Sequence, residues 1–413
     1  MAKLDDIWLY LMDKYEDRLR HNLITDKEEY CEKDGPWQAF TTRDVNTIAC
    51  ECSREFHYNI TDRDVWCVLR SDHLPSVHPL REWLKNRHEP YQPTADITPI
   101  DYLASEVVVV ESERELWRQC FHKWFVAMVA SWLKDDVVNH EVLVLIGPQG
   151  IYKTTWLERL LPPELRQYVA SMPSVREMTK DDRLRIAESA LINIDEIDAL
   201  TERELNQLKS IITASDVNER AAYARTKERR IRIASFCASG NKDQFLTDMT
   251  GNRRWLPFHV ESIQNPFLNP TQPWEICYAQ ALWEIEHGFE YWFDHSLETS
   301  LEQHRQQFMK ETNEEQLIPV YYEPVNLDYN GAVLRTTAEI SARLTLRGNI
   351  KQPMSLNNLG KLLHSQGFQQ VKRHGYPKYI VRELENDAAD KQREISQVRE
   401  AAGDSGDSGD STS

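Results

Sequence analysis

The sequence predicts an α/β core built on a parallel β-sheet, preceded by a helical region and followed by a small module of two helices and a hairpin. Three observations predict the core. An apolar run at residues 142–146 enters a glycine-containing turn, a second apolar run at residues 190–194 ends in two acids, and an alternating segment at residues 231–237 leads to a Ser-Gly-Asn tip. Parallel strands buried on both faces have such continuous apolar runs and present polar groups at their carboxyl ends.

The turn after the first run has the pattern of a phosphate-binding loop between a strand and a helix. Its backbone N–H groups would cradle the β-phosphate of ATP, Lys153 would reach the β- and γ-phosphates, and the Thr154 hydroxyl would hold Mg²⁺. Tyr152 stands where a second glycine is usual, and a Cβ disfavours a positive φ there by roughly 1–2 kcal/mol. We therefore expect a slightly rebuilt loop. The predicted nucleotide-binding residues are Gly147, Pro148, Gln149, Gly150, Ile151, Tyr152, Lys153, Thr154 and Thr155.

The second run supplies the other half of a nucleotide site. Asp195 is predicted to bind Mg²⁺ through water, together with Thr154 as a metal ligand, and Glu196 to orient or deprotonate the attacking water. A buried strand that ends in an acidic loop is common in itself. Its position behind a phosphate-binding loop favours the catalytic interpretation.

Two further polar segments follow. Asn241, at the tip of the third strand, is placed to hydrogen-bond the γ-phosphate or the attacking water, which is the sensor role in ring-forming ATPases. Arg253 and Arg254 stand where such ATPases keep the arginine that reaches a neighbour's γ-phosphate. A turn asparagine and a surface basic pair are the plainer alternatives. The predicted catalytic residues are Lys153, Glu196, Asn241, Arg253 and Arg254.

Together these segments resemble the virulence-associated protein E family. The similar segments are residues 147–150, 195–196, 223–225, 241, 245–246 and 250–255, with residues 78–84 before them. Members of that family are ATPases of phages and mobile islands, similar to superfamily 3 helicases and to the helicase half of primase-helicases. The resemblance spans about residues 75–260 and implies an AAA+-like, ATP- and Mg²⁺-dependent helicase or translocase for DNA replication. No primase domain is recognisable, so a separate primase or replication initiator is an expected partner.

Residues 221–230 are a basic stretch between the acidic strand and the third strand. Superfamily 3 helicases hold a pore hairpin in this interval, so the resemblance implies a tip that grips a DNA strand. Arg225, Lys227 and Arg229 are the predicted DNA contacts. The expected assembly is a homo-hexameric ring on single-stranded or forked DNA. A solvated basic hairpin is the alternative.

Charge is unevenly distributed along the chain. The net charge is −17, yet residues 335–382 carry nine Lys/Arg against one acid, and residues 383–413 carry nine acids against three bases. Residues 336–346 and the stretch after Ser355 have helical patterns, and a turn at residues 374–377 separates two short strands. This order resembles a winged helix, with Lys372, Arg373 and Lys378 predicted to contact DNA. A basic structural appendage is the alternative.

The predicted domain organisation follows from these segments. Residues 1–105 form a helical N-terminal region or collar, and residues 106–300 form the ATPase domain. Within it, aromatic residues recurring between 117 and 132 predict a core helix, and residues 274–287 predict a closing helix. Residues 301–330 are a connector, residues 331–382 the winged-helix-like module, and residues 383–413 a disordered acidic tail.

Composition indicates a cytoplasmic protein with no membrane partner, and the resemblance implies a bacterial or phage origin. Seven cysteines without a CxxC pair indicate reduced thiols, although Cys50, Cys52, His57 and Cys67 leave a non-standard zinc site open. Residues 121–133 are too short to span a bilayer. Two other functions stay open: an ATPase that remodels protein complexes in signalling or phage defence, and a nucleotide-binding scaffold with little turnover.

Overall fold

The protein has a mixed α/β structure with several sheets. The structure, a computed structural model, describes residues 2–33, 35–86, 91–93, 97–172, 179–219, 228–246, 251–267, 274–310, 312–351, 353–373 and 375–384. The chain divides into two units, Met1–Met309 and Lys310–Ser413. The predicted acidic tail lies outside the described residues beyond residue 384.

The first unit begins with an α/β region. Its elements are α1 (Ala2–Tyr15), β1 (Leu19–Asn22), β2 (Lys27–Cys31), β3 (Trp37–Ala39), α2 (Thr42–Phe56), α3 (Asp62–Leu69) and β4 (Ser76–Val77). Thr41 and Thr61 begin α2 and α3 with capping boxes, which fix where each helix starts. The three helices pack on one apolar cluster that includes Ile7, Val45 and Val65.

The expectation of a helical N-terminal region is wrong for residues 19–39. Strands β1, β2 and β3 lie there and form, together with β4, a four-stranded sheet of order β3-β2-β1-β4 in which β1 and β2 are antiparallel. The reason is polar pairing: Arg20 donates to Glu29 at 2.8 Å, and Asn22 donates to the same carboxylate at 2.7 Å, all three being buried. Strands joined by buried polar pairs lack the apolar alternation by which strands are predicted.

The rest of the first unit is built on a six-stranded sheet. Its helices are α4 (Pro79–Asn86), α5 (Pro99–Ser105), α6 (Arg114–Leu133), α7 (Lys153–Glu158), α8 (Lys180–Ala187), α9 (Glu202–Thr213), α10 (Trp274–Glu286) and α11 (His295–Arg305). The six strands of this sheet are β5 (Val107–Val109), β6 (Val142–Ile146), β7 (Val169–Ser171), β8 (Leu191–Ile194), β11 (Ser235–Gly240) and β12 (Trp255–Ile263), and β9 (Asp216–Glu219) and β10 (Glu228–Ile231) form a separate two-stranded sheet. Short 3-10 turns lie at Glu111–Glu113, Pro163–Tyr168, Ile197–Ala199, Asn252–Arg254 and Gln306–Phe308.

The central sheet has the order β5-β12-β6-β11-β8-β7. The last five strands are parallel, and only the edge strand β5 is antiparallel. In β6, Leu143 and Leu145 pack into one apolar cluster, whereas Val142, Val144 and Ile146 pack into another. The sheet is therefore covered on both faces, as the predicted parallel core requires.

The predicted core helices are confirmed. All of the aromatic residues that predicted α6 are buried, among them Trp117, Trp124 and Trp132, and α10 covers the segment predicted to close the core. The expected domain limits differ from the structure at both ends. Helix α5, placed in the N-terminal region, joins the core cluster of the central sheet, and α11 crosses residue 300 with Leu297 and Leu301 in that same cluster.

The second unit contains α12 (Asn313–Tyr321), β13 (Tyr322–Pro324), β14 (Val333–Arg335), α13 (Thr337–Gly348), α14 (Leu356–Ser365), β15 (Gln370–Arg373) and β16 (Tyr376–Glu383). The predicted helix–helix–hairpin order is present, with Thr336 and Ser355 as the helix N-caps. The predicted connector is not a separate linker, because Ile318, Tyr321 and Tyr322 belong to the core of this unit. The winged-helix assignment itself stays a prediction.

Two further observations concern the whole described chain. All seven cysteines are free. Within the described ranges, no helix is both long and apolar enough to cross a membrane.

Candidate functional site

Three strands of the central sheet bring the predicted site residues to one edge. Strands β6, β11 and β8 are parallel neighbours that end at Ile146, Gly240 and Ile194. The segments that follow them, residues 147–152, 241 and 195–196, therefore lie at the same edge, which we call the carboxyl edge. Open α/β sheets bind ligands outside the carboxyl ends of their strands.

The loop after β6 combines close packing with left-handed backbone. A Cβ on Gly147 would lie 2.3 Å from the carbonyl oxygen of Val260, so only glycine fits there. Gly150 has φ +85° with open space around it, and Tyr152 has φ 71°. The expected rebuilding at Tyr152 does not occur: the backbone keeps the left-handed conformation that the missing glycine would adopt, at a cost of roughly 1–2 kcal/mol.

The Tyr152 side chain points away from the core and is 38% exposed. Its ring meets that of Phe267 edge-on, with centroids 6.2 Å apart, and the Arg159 guanidinium lies 5.6 Å from the Phe267 centroid. A large, exposed aromatic ring thus occupies a strained backbone position. Strained backbone positions cluster at functional sites.

Lys153 is the first residue of α7 and is only 7% exposed. Its Nζ donates to the carbonyl oxygens of Gly147 and Pro148, each at 2.7 Å, and to Asn241 Oδ1 at 3.2 Å. Burial lowers the pKa of the ammonium group, an effect that the nearby Asp195 and Asp198 oppose. The lysine is therefore held against its own loop and joined to the tip of β11.

Asp195 lies at the end of β8 and joins two hydroxyl groups. Thr154 Oγ1 donates to its Oδ1 at 3.2 Å, and Ser239 Oγ donates to the same atom at 2.5 Å. The two hydroxyl oxygens are 3.3 Å apart. The predicted metal ligands, Thr154 and Asp195, are thus brought together, with Ser239 as a third oxygen beside them.

Glu196 follows in a left-handed conformation, with φ 53°, and is exposed. Within the described chain, no hydrogen bond to its carboxylate is found. Its position next to Asp195 leaves the carboxylate free to orient a water molecule at this edge.

The tip of β11 is fixed by a carboxylate that the sequence analysis did not select. The backbone N–H of Asn241 donates to Asp198 Oδ1 at 3.1 Å. A Cβ on Gly240 would lie 2.9 Å from that same oxygen, so glycine permits the approach. Asp198 and Ser239 were missed because their roles depend on which strands are neighbours. The only local signals were the third acid after β8 and the polar residue before Gly240.

Arg253 and Arg254 are not brought to the loop of their own chain. They lie in the turn Asn252–Arg254, just before β12 begins at Trp255. Trp255 pairs with Val142 at the start of β6, whereas His259 pairs with Ile146 at its end. Four strand residues span roughly 13 Å, so the turn lies at the opposite side of the sheet, the amino edge, where β6, β11 and β12 begin.

The two arginines differ from each other. Arg254 donates to Thr213 Oγ1 at 2.9 Å and to the Gly251 carbonyl at 3.2 Å. Arg253 is exposed, and its guanidinium has no partner in the described part of the chain. Of the two guanidinium groups, only that of Arg253 is therefore available to a group outside the described chain.

The predicted hairpin is present as a stem of β9 and β10, which pair antiparallel from Glu228–Glu219 to Ile231–Asp216. Arg225 and Lys227 lie outside the described residues, as does the Arg229 side chain. Two other basic residues of this stretch are engaged within the chain. Arg230 pairs with Asp26 at 2.8 Å and Glu188 at 3.2 Å, and the buried Arg232 donates to backbone carbonyls such as Ile212 O, at 2.6 Å.

In the second unit, the predicted DNA residues lie on the β15–β16 hairpin. Its register pairs Lys372 with Pro377, Val371 with Lys378 and Arg373 with Tyr376. Paired residues share a face and successive residues alternate, so Arg373 and Lys378 lie on one face and Lys372 on the other. The positive charge of this unit is partly neutralised: Glu383 binds Arg335 and Arg343, each at 2.7 Å, and Glu323 binds Arg382 at 3.0 Å.

Comparisons with known proteins give a family match. The model of the virulence-associated protein E-like domain matches residues 95–310, so the expected span of about 75–260 began too early and ended before α10 and α11. The chain is similar to three solved structures of the C-terminal region of NrS-1. An apo structure is 10% identical with TM-score 0.44, over 92% of this chain and 99% of that chain. Two A-form apo structures are 10% and 11% identical with TM-scores 0.42 and 0.41, over 92% of this chain and 99% and 100% of those chains. No curated protein matches the chain significantly.

Proposed function

The chain belongs to the virulence-associated protein E-like family, and from this premise we propose that it is a Mg²⁺-dependent ATPase that moves along or opens DNA during replication of a phage or another mobile element. The observation that carries the proposal is the convergence at the carboxyl edge. Lys153 contacts Asn241, and Thr154 contacts Asp195, across three neighbouring strands. A strand–loop–helix motif alone would not require these partners.

The loop fits a phosphate group. Left-handed residues at Gly150 and Tyr152 turn the backbone so that successive N–H groups can face one concavity, and the start of α7 adds its own unpaired N–H groups. Lys153 would exchange the carbonyl oxygens of Gly147 and Pro148 for phosphate oxygens. Asn241 would then bind Lys153 and, in its predicted role, hydrogen-bond the γ-phosphate or the attacking water.

The oxygens of Thr154 and Asp195 fit Mg²⁺, a cation that binds one or two protein oxygens and keeps several waters. When bound there, the ion would neutralise negative charge on the β- and γ-phosphate oxygens. Ser239 keeps the Asp195 carboxylate turned toward Thr154. Glu196 accepts the proton of the attacking water, since its exposed carboxylate has no hydrogen-bond partner among the described residues.

The site is completed by a second copy of the chain. Arg253 lies too far from its own loop, and its guanidinium faces outward, which supports action on a neighbour's γ-phosphate. In a closed ring, each subunit contributes its phosphate-binding loop to one interface and its Arg253 to the other. The proposed ring is a homo-hexamer. The β9–β10 hairpin and the basic face of the β15–β16 hairpin, in a winged-helix-like module, are the proposed DNA contacts. Priming would belong to a separate chain.

An ATPase assay with and without DNA tests this function. The proposal predicts Mg²⁺-dependent hydrolysis that single-stranded or forked DNA stimulates. Hydrolysis that neither single-stranded nor double-stranded DNA changes would instead indicate an ATPase that remodels protein complexes.

A second function has one observation in its favour. The Lys153 ammonium already has three oxygen partners within the chain, so nucleotide must compete with them. A nucleotide-binding scaffold with little turnover would keep this arrangement. ATP binding without hydrolysis, in the presence of Mg²⁺ and DNA, would support the scaffold.

A further inference from the structure

Arg305 is a buried arginine that holds the turn carrying Arg253. It ends α11 and is 3% exposed. Its Nε donates to the carbonyl oxygen of Trp255 at 2.8 Å, and its Nη2 donates to the carbonyl oxygen of Arg253 at 2.8 Å. One guanidinium group therefore binds the backbone at the middle residue of the turn Asn252–Arg254 and at the first residue of β12.

Glu298, two turns earlier on the same helix, orients this guanidinium. Its Oε1 accepts from Arg305 Nη1 at 2.7 Å, and its Oε2 accepts from Nη2 at 3.4 Å. The carboxylate side chain is 34% exposed, whereas the arginine side chain is 4% exposed. The planar fork of arginine can serve all three partners at once, which the single ammonium group of a lysine cannot do with the same geometry.

The other contacts of the turn leave Arg253 dependent on this support. Gly251 enters the turn with φ +78°, and Arg254 closes it by donating to the Gly251 carbonyl and to Thr213. These contacts fix the first part of the turn. The carbonyl of Arg253 itself is held by Arg305, so the direction in which the exposed Arg253 side chain leaves the turn depends on α11.

We propose that Arg305, oriented by Glu298, is a positioning residue that aims Arg253 at the nucleotide of the neighbouring subunit. This inference rests on the proposed function, since it requires Arg253 to act across an interface. It adds that α11, which is far from Arg253 in sequence, sets the geometry of the shared site. A purely structural arginine would support the fold equally in every subunit, whereas a positioning arginine matters only in the subunit whose Arg253 is used.

That asymmetry defines the experiment. Two inactive variants are mixed: Lys153→Ala, which keeps its Arg253, and Arg253→Ala, which keeps its loop. Arg305→Lys is then added to one partner at a time, and the restored ATPase rate is measured. In the Lys153→Ala partner it should lower the restored rate by roughly 10- to 100-fold, because the reacting geometry is displaced. In the Arg253→Ala partner it should leave the restored rate close to that of the parent mixture.

Glu298→Gln serves as the second variant, because it keeps the hydrogen-bond acceptor, removes the charge and lies at a partly exposed position. It should show the same asymmetry with a smaller loss, and it decides the matter if Arg305→Lys does not fold. Equal losses in both partners, or no loss in either, would overturn the positioning role while leaving the shared site intact. Absence of any restored activity in the parent mixture would overturn the shared site itself, and the positioning role with it.

Discussion

The two edges of the central sheet hold their functional side chains in different ways. At the carboxyl edge the side chains bind one another, as Lys153 donates to Asn241 and Thr154 to Asp195. At the amino edge the Arg253 side chain has no partner in the described part of the chain, and its turn is held by Arg254 and Arg305 through backbone carbonyls and the Thr213 hydroxyl. The hairpin stem of β9 and β10 also leaves the sheet at this second edge.

This difference fits the divided site that we propose. The carboxyl edge carries the residues proposed to hold phosphate and metal within one chain. The amino edge carries the exposed Arg253 and the hairpin stem, which are proposed to act on a neighbouring subunit and on DNA. Changes at the first edge should therefore stop hydrolysis directly, and changes at the second should alter assembly-dependent or DNA-dependent activity.

The largest effect is expected from Lys153→Ala at the carboxyl edge. Loss of the buried cation should reduce ATP hydrolysis by roughly a hundredfold or more, measured as phosphate release with saturating ATP. Lys85→Ala, which removes an exposed lysine of α4, is the control and should keep the parent rate. Hydrolysis by Lys153→Ala at the parent rate would exclude this loop as the phosphate site.

Glu196→Gln tests which group at the carboxyl edge activates the attacking water. The proposed metal ligand Asp195 remains, but the attacking water would lose its proposed base, so turnover should fall by about 10²–10⁴-fold while ATP affinity is kept. Single-turnover hydrolysis and an ATP titration measure the two quantities separately. Glu202→Gln, an exposed acid at the start of α9, is the matched control. A near-parent rate for Glu196→Gln would show that another group activates the water.

Substitutions in the hairpin test the amino edge and leave the proposed phosphate-binding residues unchanged. Lys227→Ala combined with Arg229→Ala should keep basal hydrolysis and weaken stimulation by single-stranded DNA. Loss of two phosphate contacts should also reduce the slope of log affinity against log salt by roughly 1.4. If the double variant unwinds DNA as well as the parent, the strand is gripped elsewhere, and Arg373 and Lys378 become the next residues to replace.

Tyr152→Gly should have the smallest effects, and they should be opposite in sign: higher stability of the fold and weaker ATP binding. Relief of the left-handed strain should raise the free energy of unfolding by up to about 1 kcal/mol, after the entropy cost of glycine. Loss of the exposed ring should weaken ATP binding by a few-fold, because a large ring retained at a strained position is expected to contact nucleotide or a neighbour. Phe267→Ala removes the adjacent ring and leaves the loop backbone unchanged, so it separates the two effects. Tighter ATP binding by Tyr152→Gly would contradict the role of the ring.

Local pattern was sufficient for the elements that present the carboxyl edge. The apolar runs of β6 and β8 and the aromatic face of α6 each have a signal within a few residues of sequence. The loop after β6 was selected as a candidate phosphate-binding loop for the same reason. The left-handed Tyr152 was not expected to persist, because the surrounding loop imposes that conformation against the preference of the residue.

What the sequence did not reveal depends on contacts between distant segments. The strands β1 and β2 are joined by the buried pair Arg20–Glu29 and show no apolar alternation. The hydrogen bond from Ser239 to Asp195 requires β11 and β8 to be neighbours. The contact between Arg305 and Arg253 joins α11 to a turn 52 residues earlier. Pairings of this kind are set by the order of strands and helices in space, for which one sequence has no local signal.

Mixing Lys153→Ala with Arg253→Ala tests most directly whether the two edges of neighbouring chains form one site. The ATPase rate is measured for each variant alone, for the mixture, and for a control mixture in which Arg254→Ala replaces Arg253→Ala. The account predicts that each of Lys153→Ala and Arg253→Ala alone is inactive and that their mixture regains activity at interfaces with one intact loop and one intact Arg253. It also predicts that Arg254→Ala alone keeps more activity than Arg253→Ala, because Arg254 is bound within its own chain. No regained activity in the first mixture, with both variants folded and assembled, would contradict the divided site.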